Sequence, residues 1–121
     1  MTQRTAPTRT MGALAHKVTE LTSSAGLTLE DIGRIVDASP RSVARWQSGD
    51  VVPQRLNRQR LIELAYVAEA VTAVLPRDEA NLWIFTPSRA LGHDTPADRI
   101  KSGDYRTVLS LIEAIADGVV V

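Results

Sequence analysis

The sequence predicts an all-α chain, and three observations carry that prediction. Apolar residues recur at helical spacing in several separate stretches. The breaks between those stretches hold capping residues, prolines suited to a first helical position, and glycines suited to a stop. One stretch, residues 60–75, is apolar on nearly every side and too short to span a bilayer. The architecture expected is a two-helix motif near the amino end, joined through that long apolar helix to a small helical carboxyl-terminal module.

Met1 to Thr10 is rich in Thr and Arg and reads as a disordered arm. Met11, Leu14, Ala15, Val18 and Leu21 share one helical face, which predicts a helix from about Gly12 to Ser23. His16 lies within it and reads as a surface residue. Thr28 then caps a short helix, with Asp31 placed to complete a capping box. Leu29, Ile32 and Val36 give that helix its apolar face, and Asp37 tolerates the left-handed turn that ends it. Ser39 caps the next helix, Pro40 fits its first position, Val43 and Trp46 face inward, and Gly49 stops it.

Two short helices on a tight turn make a helix-turn-helix. Arg41, Ser42 and Arg45 fall on the outer side of its second helix, where such motifs meet base edges in the major groove. An Arg fork matches two acceptors of guanine at once. Ser39, Arg41, Ser42 and Arg45 are therefore candidate DNA contacts. A helical hairpin with a solvated basic face would show the same pattern. Residues 27–49 resemble the helix-turn-helix of Xre-type repressors, with Gly33 in the small-residue position and Asp37 where that family usually has Gly.

Past Pro53, Arg55, Arg58 and Arg60 form a basic cluster that can hold phosphates and set register without reading sequence. Solvated helix surface is the equal alternative. In the apolar helix beyond them, Glu63, Tyr66, Glu69 and Thr72 are the polar breaks. So apolar a helix must be covered on most sides. It is expected to be both central and a homodimer core, with Leu61, Leu64, Ala68 and Val71 as the dimer residues, since two copies suit two half-sites.

Pro76 ends this helix, and Asp78 and Glu79 open the next where the helix dipole favours acids. Leu82, Trp83, Ile84 and Phe85 make a dense apolar cluster that reads first as core anchoring. Thr86 to Leu91 suggests one helical turn closed by Gly92. Thr95, Pro96 and Asp98 start another helix, and Gly103 stops it. Asp104 can cap a last amphipathic helix carrying Tyr105, Val108, Leu109, Leu111, Ile112 and Ile115. Glu113 and Asp117 lie toward its end, where acids are disfavoured unless a cation approaches. Gly118-Val119-Val120-Val121 comes next, and three valines are costly to leave in water. They fold back on the domain or enter a groove on another protein.

Composition narrows the function. The 121 residues are 44% apolar and only 4% aromatic, so aliphatic side chains must fill the core. Without cysteine there is no disulfide framework or thiolate metal site. No secretory leader pattern opens the sequence, and a cytoplasmic home is the simplest expectation. Net charge is zero, yet residues 1–60 hold nine Lys/Arg against five Asp/Glu, a net +4, and residues 61–121 hold five against nine, a net −4. A basic front suits phosphate, and an acidic rear suits a different partner. His16 and His93 have no metal-ligand spacing, and neither a phosphate-cradling glycine loop nor a nucleophile elbow occurs. No enzyme activity, cofactor or metal is expected.

A second resemblance is sharper. Asn81-Leu-Trp-Ile-Phe-Thr-Pro-Ser-Arg-Ala-Leu-Gly-His-Asp-Thr-Pro-Ala-Asp, with Gly103-Asp-Tyr-Arg-Thr-Val-Leu after it, is similar to the carboxyl-terminal module of Xre/MbcA/ParS-type antitoxins. The Trp, the Pro-x-x-x-Leu, the Thr-Pro and the Gly-Asp-Tyr fall in family order, and His93 stands where members often have a second Gly. Arg41-Ser-Val-Ala-Arg-Trp and Val52-Pro-Gln-Arg-Leu-Asn resemble the mycobacterial MbcA type. The resemblance implies a RES-domain toxin that degrades NAD as partner, with the antitoxin's carboxyl end obstructing the NAD site, often within a larger hetero-oligomer. Trp83, Tyr105, Glu113, Asp117, Gly118, Val119, Val120 and Val121 are the implied toxin-facing residues. The family's amino-terminal part is repressor-like, and in some members it represses the operon; Arg55 and Arg58 of the basic cluster join the candidate DNA contacts. The organisation expected is an arm (1–10), a helix-turn-helix domain (11–55), a central helix (56–76) and a toxin-binding module with an inhibitory tail (77–121). The alternative is a stand-alone homodimeric helix-turn-helix transcriptional repressor; a blander one is a dimeric adaptor with a relic helix-turn-helix.

Overall fold

A computed structural model of the chain describes residues 8–118, with side chains from Gly12 onward. Among these residues every regular element is helical: α1 (Thr8–Ser24), α2 (Leu29–Val36), α3 (Pro40–Ser48), α4 (Arg55–Thr72), α5 (Arg77–Ile84), α6 (Pro96–Lys101) and α7 (Tyr105–Ala116), with a single 3-10 turn at Arg89–Leu91. The all-α expectation holds.

Local chemistry explains most boundaries. The Thr28 hydroxyl accepts from the Asp31 N–H, and the Asp31 carboxylate accepts from the Thr28 N–H, so the capping box is complete. Asp37 closes α2 at φ 61°. Asn57, from α4, donates its side-chain amide to the Val36 and Asp37 carbonyls at 2.7 and 3.1 Å, satisfying acceptors that the helix end leaves free. Gly33 needs its missing Cβ, because a methyl there would overlap the Ala38 carbonyl oxygen. Ser39 caps α3 by accepting from the Ser42 N–H, and Gly49 ends it at φ 82°.

One helix begins earlier than the pattern predicts. α1 starts at Thr8 instead of Gly12, so the end of the expected arm is helical, and residues 1–7 lie outside the described residues. α4 runs Arg55–Thr72, starting one residue before the expected 56 and ending short of the expected 76. Its first turn is polar and so shows no apolar period, yet Pro53 is buried just before it and Asn57 anchors it to α2.

Helix α4 is central, as its composition requires: α1, α2, α5, α6 and α7 all pack on it. The homodimer residues need correction. Leu61, Leu64, Ala68 and Val71 are 0–6% exposed in the single chain, so their apolar surface is consumed by neighbouring helices of the same molecule and cannot meet a second copy. Each fully buried Leu contributes roughly 2 kcal/mol to folding by leaving water.

The front and rear elements form one packed unit. Helix α6 packs on α2, and both pack on α4. Asn81 of α5 donates to the Ala25 and Gly26 carbonyls at 3.0 and 3.1 Å, and Arg77 donates to the Ser23 carbonyl at 3.0 Å, so α5 caps the end of α1. The buried charge of the core is Glu63, 5% exposed. Its carboxylate accepts from Arg60 at 3.1 Å and from Gln59 at 2.8 Å, and Arg60 also donates to the Lys101 carbonyl at 3.3 Å. The Arg60 guanidinium lies against Gly103, whose φ of 96° and lack of Cβ make the approach possible. Arg60 is thus a core tie between α4 and α6, which removes it from the expected phosphate cluster.

Candidate functional site

Two surfaces carry the functional candidates. The first is the outside of α3. Arg41 and Arg45 are exposed there, four residues apart on one helical face, and neither side chain has a hydrogen-bond or ion-pair partner among the described residues. Ser39 and Ser42 are engaged internally: besides the cap, the Ser39 hydroxyl donates to the Ser42 hydroxyl at 3.0 Å. Their first duty is to hold the start of α3 and so aim Arg41. Val43 and Trp46, on the opposite face, are buried and fix the rotation of the helix. Arg55 is exposed and Arg58 half-buried on the first turn of α4.

The second surface belongs to α5, the loop after it, and α7. Its scaffold is a knot on Arg99. That guanidinium donates to Asp94 at 2.8 Å, to Asp104 at 3.0 Å and to the Leu91 carbonyl at 2.8 Å. The Thr107 hydroxyl donates to Asp104 at 2.8 Å. This bond and the Arg99 guanidinium hold the Asp104 carboxyl below the usual carboxylate range, while Asp94 and then Asp104 raise Arg99. Asp104 therefore stands at the cap position of α7 but works through side chains. The Thr95 and Asp98 capping box forms as expected, with Pro96 and Leu91 buried. Gly92 at φ 65° and His93 at φ 74° turn the chain between them. The left-handed backbone at His93 explains why a second Gly suits this place.

The motif residues are thus mostly structural: they shape a loop and present other side chains. Trp83 and Phe85 are half-buried against the core and Ile84 is fully buried, which agrees with core anchoring. Leu82, expected to join them, is instead 68% exposed. The Tyr105 ring stacks on Tyr66 of α4, with centroids 6.4 Å apart, and the Arg106 guanidinium sits 5.8 Å from the Tyr105 ring centre. Tyr66 reads in the sequence as a mere polar break. Its pairing joins positions far apart in the chain, and no local pattern signals that. Glu113, Asp117 and Gly118 are exposed at the end of α7, and Gly118 takes φ 82°. Val119, Val120 and Val121 lie outside the described residues. Among the described residues, no cluster of His, Cys, Asp or Glu could hold a metal ion, and no helix is long and apolar enough to cross a membrane.

Residues 70–118 match the antitoxin Xre/MbcA/ParS C-terminal toxin-binding domain. Across 111 residues the chain is 60% identical to the mycobacterial cidal antitoxin MbcA of Mycobacterium tuberculosis, covering 92% of this chain and 98% of that one. The chain belongs to the Xre/MbcA/ParS antitoxin family. This antitoxin is also similar to a probable mycobacterial cidal antitoxin of M. tuberculosis, 26% identical over 104 residues and covering 86% of this chain and 89% of that one. Its fold matches a chain in the crystal structure of the M. tuberculosis MbcT–MbcA toxin–antitoxin complex, with TM-score 0.82 and 61% identity over 89% of this chain and 97% of that one. The helical architecture of the antitoxin is therefore that of a relative named as an antitoxin.

Proposed function

We propose that this antitoxin neutralises a RES-domain, NAD-degrading toxin by holding its carboxyl-terminal segment across the toxin's NAD site. The observation that carries the reading is the end of α7. The helix stops at Ala116, and Gly118 turns the chain through a left-handed φ of 82° that a side-chain-bearing residue adopts only under strain. Beyond Gly118 the sequence is Val119-Val120-Val121, an apolar run preceded by the exposed carboxylates of Glu113 and Asp117. A pocket that binds anionic NAD must present positive charge, and these carboxylates complement it. The valines would lose water on entering, which favours occupancy. Inhibition on this reading is exclusion of NAD and needs no chemistry from the antitoxin. Family membership and the solved toxin–antitoxin complex of a 61%-identical relative support a toxin as the partner.

Deletion of Gly118 to Val121 tests it. The truncated chain should keep its helical content and still bind toxin, while NAD loss returns in a purified mixture. Full inhibition by the truncated chain would sink the plug.

A second activity rests on a separate observation, the guanidinium groups of Arg41 and Arg45, which have no partner among the described residues, at the outer face of α3. On this reading the antitoxin also binds operator DNA and represses its own operon as a homodimer, with Arg55 and Arg58 on phosphates. The dimer contact must then use surface other than Leu61, Leu64, Ala68 and Val71. Replacing Arg41 with Ala should cost about 1–3 kcal/mol of operator affinity if it reads a base. A shift assay with no retarded operator band, with or without toxin, counts against it.

A further inference from the structure

We propose that Tyr66 is an anchor of the toxin-binding surface, so that this surface extends beyond the matched domain onto the central helix α4. The inference rests on the reading that the chain binds a toxin. Tyr66 precedes the domain matched at residues 70–118. It is nonetheless joined to that domain through space: its ring stacks at 21° on Tyr105, 6.4 Å between centroids. A partner that lands on Tyr105 and Arg106 cannot avoid it.

The exposure of Tyr66 is the second observation. At 54% exposed, it holds a large ring in water beside a core that buries Leu64 and Val67 completely. Stacking on Tyr105 does not require that exposure. It does fix the ring's position, so little side-chain freedom remains to be lost on binding. Tyr66 also borders a groove of about 240 Å³ between α1 and α4, edged by Lys17, Glu20, Glu69 and Thr72. Tyr and Arg are the residue types that most often carry interface binding energy, and Tyr66, Tyr105 and Arg106 place three of them side by side. The partner surface that fits is a flat apolar patch for the rings with a carboxylate opposite Arg106. The toxin is the occupant argued for, because the stack is continuous with the toxin-binding domain.

The test uses full-length antitoxin and purified cognate toxin, with Kd measured calorimetrically, thermal unfolding by circular dichroism, and the mass of the free antitoxin by light scattering. Tyr66→Ala should weaken toxin binding at least 30-fold, with an unchanged free oligomeric state and a Tm within a few degrees. Tyr66→Phe should bind within a few-fold of the parent, because the ring carries the effect. Tyr66→Gln, a good helix former, guards against a folding artefact in the Ala variant and should lose as much affinity. Parental affinity in both Tyr66→Ala and Tyr66→Gln overturns the inference. So does a changed free oligomeric state at unchanged toxin affinity, which would give the surface to a second copy. If the parent chain itself binds no toxin, the functional reading falls first; parent binding with an indifferent Tyr66 sinks this inference alone.

Discussion

The outer faces of α3 and α7 make an instructive pair. Both helices bury an apolar stripe in the same core: Val43 and Trp46 from α3, Val108, Leu111 and Ile112 from α7. They differ in what their charged neighbours do. Arg41 and Arg45 near the front have no partner among the described residues, so their charge is available to another molecule. Around α7 much of the charge is spent within the fold. Asp94 and Asp104 hold Arg99, Asp98 closes a capping box, and Glu63 is buried with Arg60. The net −4 of the rear half is therefore not a free acidic surface. Exposed acids without such ties, Glu113 and Asp117 among them, carry what remains. Net charge read from a sequence informs about partners only after internally paired groups are set aside.

The contrast can be broken most severely at its shared core. Glu63→Ala leaves the Arg60 guanidinium, whose side chain is 21% exposed, without its carboxylate. Loss of one member of such a pair should cost about 3 kcal/mol, read by urea unfolding. Because Arg60 ties α4 to α6, the transition should remain single while its midpoint falls. A loss below about 1 kcal/mol would mean that water replaces the partner. Double replacement of Arg60 and Glu63 should cost less than the two single changes added together.

Gly33→Ala strikes the front alone. The added methyl meets the Ala38 carbonyl, and overpacking at a turn of this kind should cost about 2 kcal/mol. If α1 to α3 were a separable module, its unfolding would precede that of α4 to α7. The ties from Asn57, Asn81 and Arg77 instead predict that both halves melt together, which differential scanning calorimetry can decide.

His93→Gly sharpens the comparison from the rear. A left-handed φ of 74° is strained for His and free for Gly, so the change should raise stability by up to about 1 kcal/mol. Unchanged toxin binding in this variant would confine the loop to scaffolding. The smallest effect is a pH dependence at Asp104. Its folded carboxyl titrates below the usual range, so its stabilisation is present above the unfolded carboxylate pKa and is lost as pH falls through the depressed value. Asp104→Asn should lower stability at pH 7, where that contribution is fully present, and flatten the acid limb below about pH 4, so that variant and parent converge at low pH.

The caps and stops were legible in the sequence because they act within three or four residues. Thr28 with Asp31, Thr95 with Asp98, Ser39 before Pro40, and the glycines at 49 and 92 all have the roles that local chemistry predicts. The central place of α4 was legible too, since so apolar a helix cannot stay in water. Its partners were not. The same apolarity fits a dimer seam or an internal core equally well, and only packing decides, here in favour of the core for Leu61, Leu64, Ala68 and Val71.

The rear surface was legible as family order and not as geometry. Its motif residues shape a loop, whereas Tyr66 and Leu82, which stand out in water, carried no signal. By itself, then, the sequence determined the helices, their ends and the sign of charge on each half, because those depend on neighbours along the chain. The tertiary structure alone decided which side chains are consumed: Asn81 meets the Ala25 carbonyl across 56 positions, and Arg60 meets that of Lys101 across 41. Pairings at such separations come from how whole helices pack, and no local rule contains them.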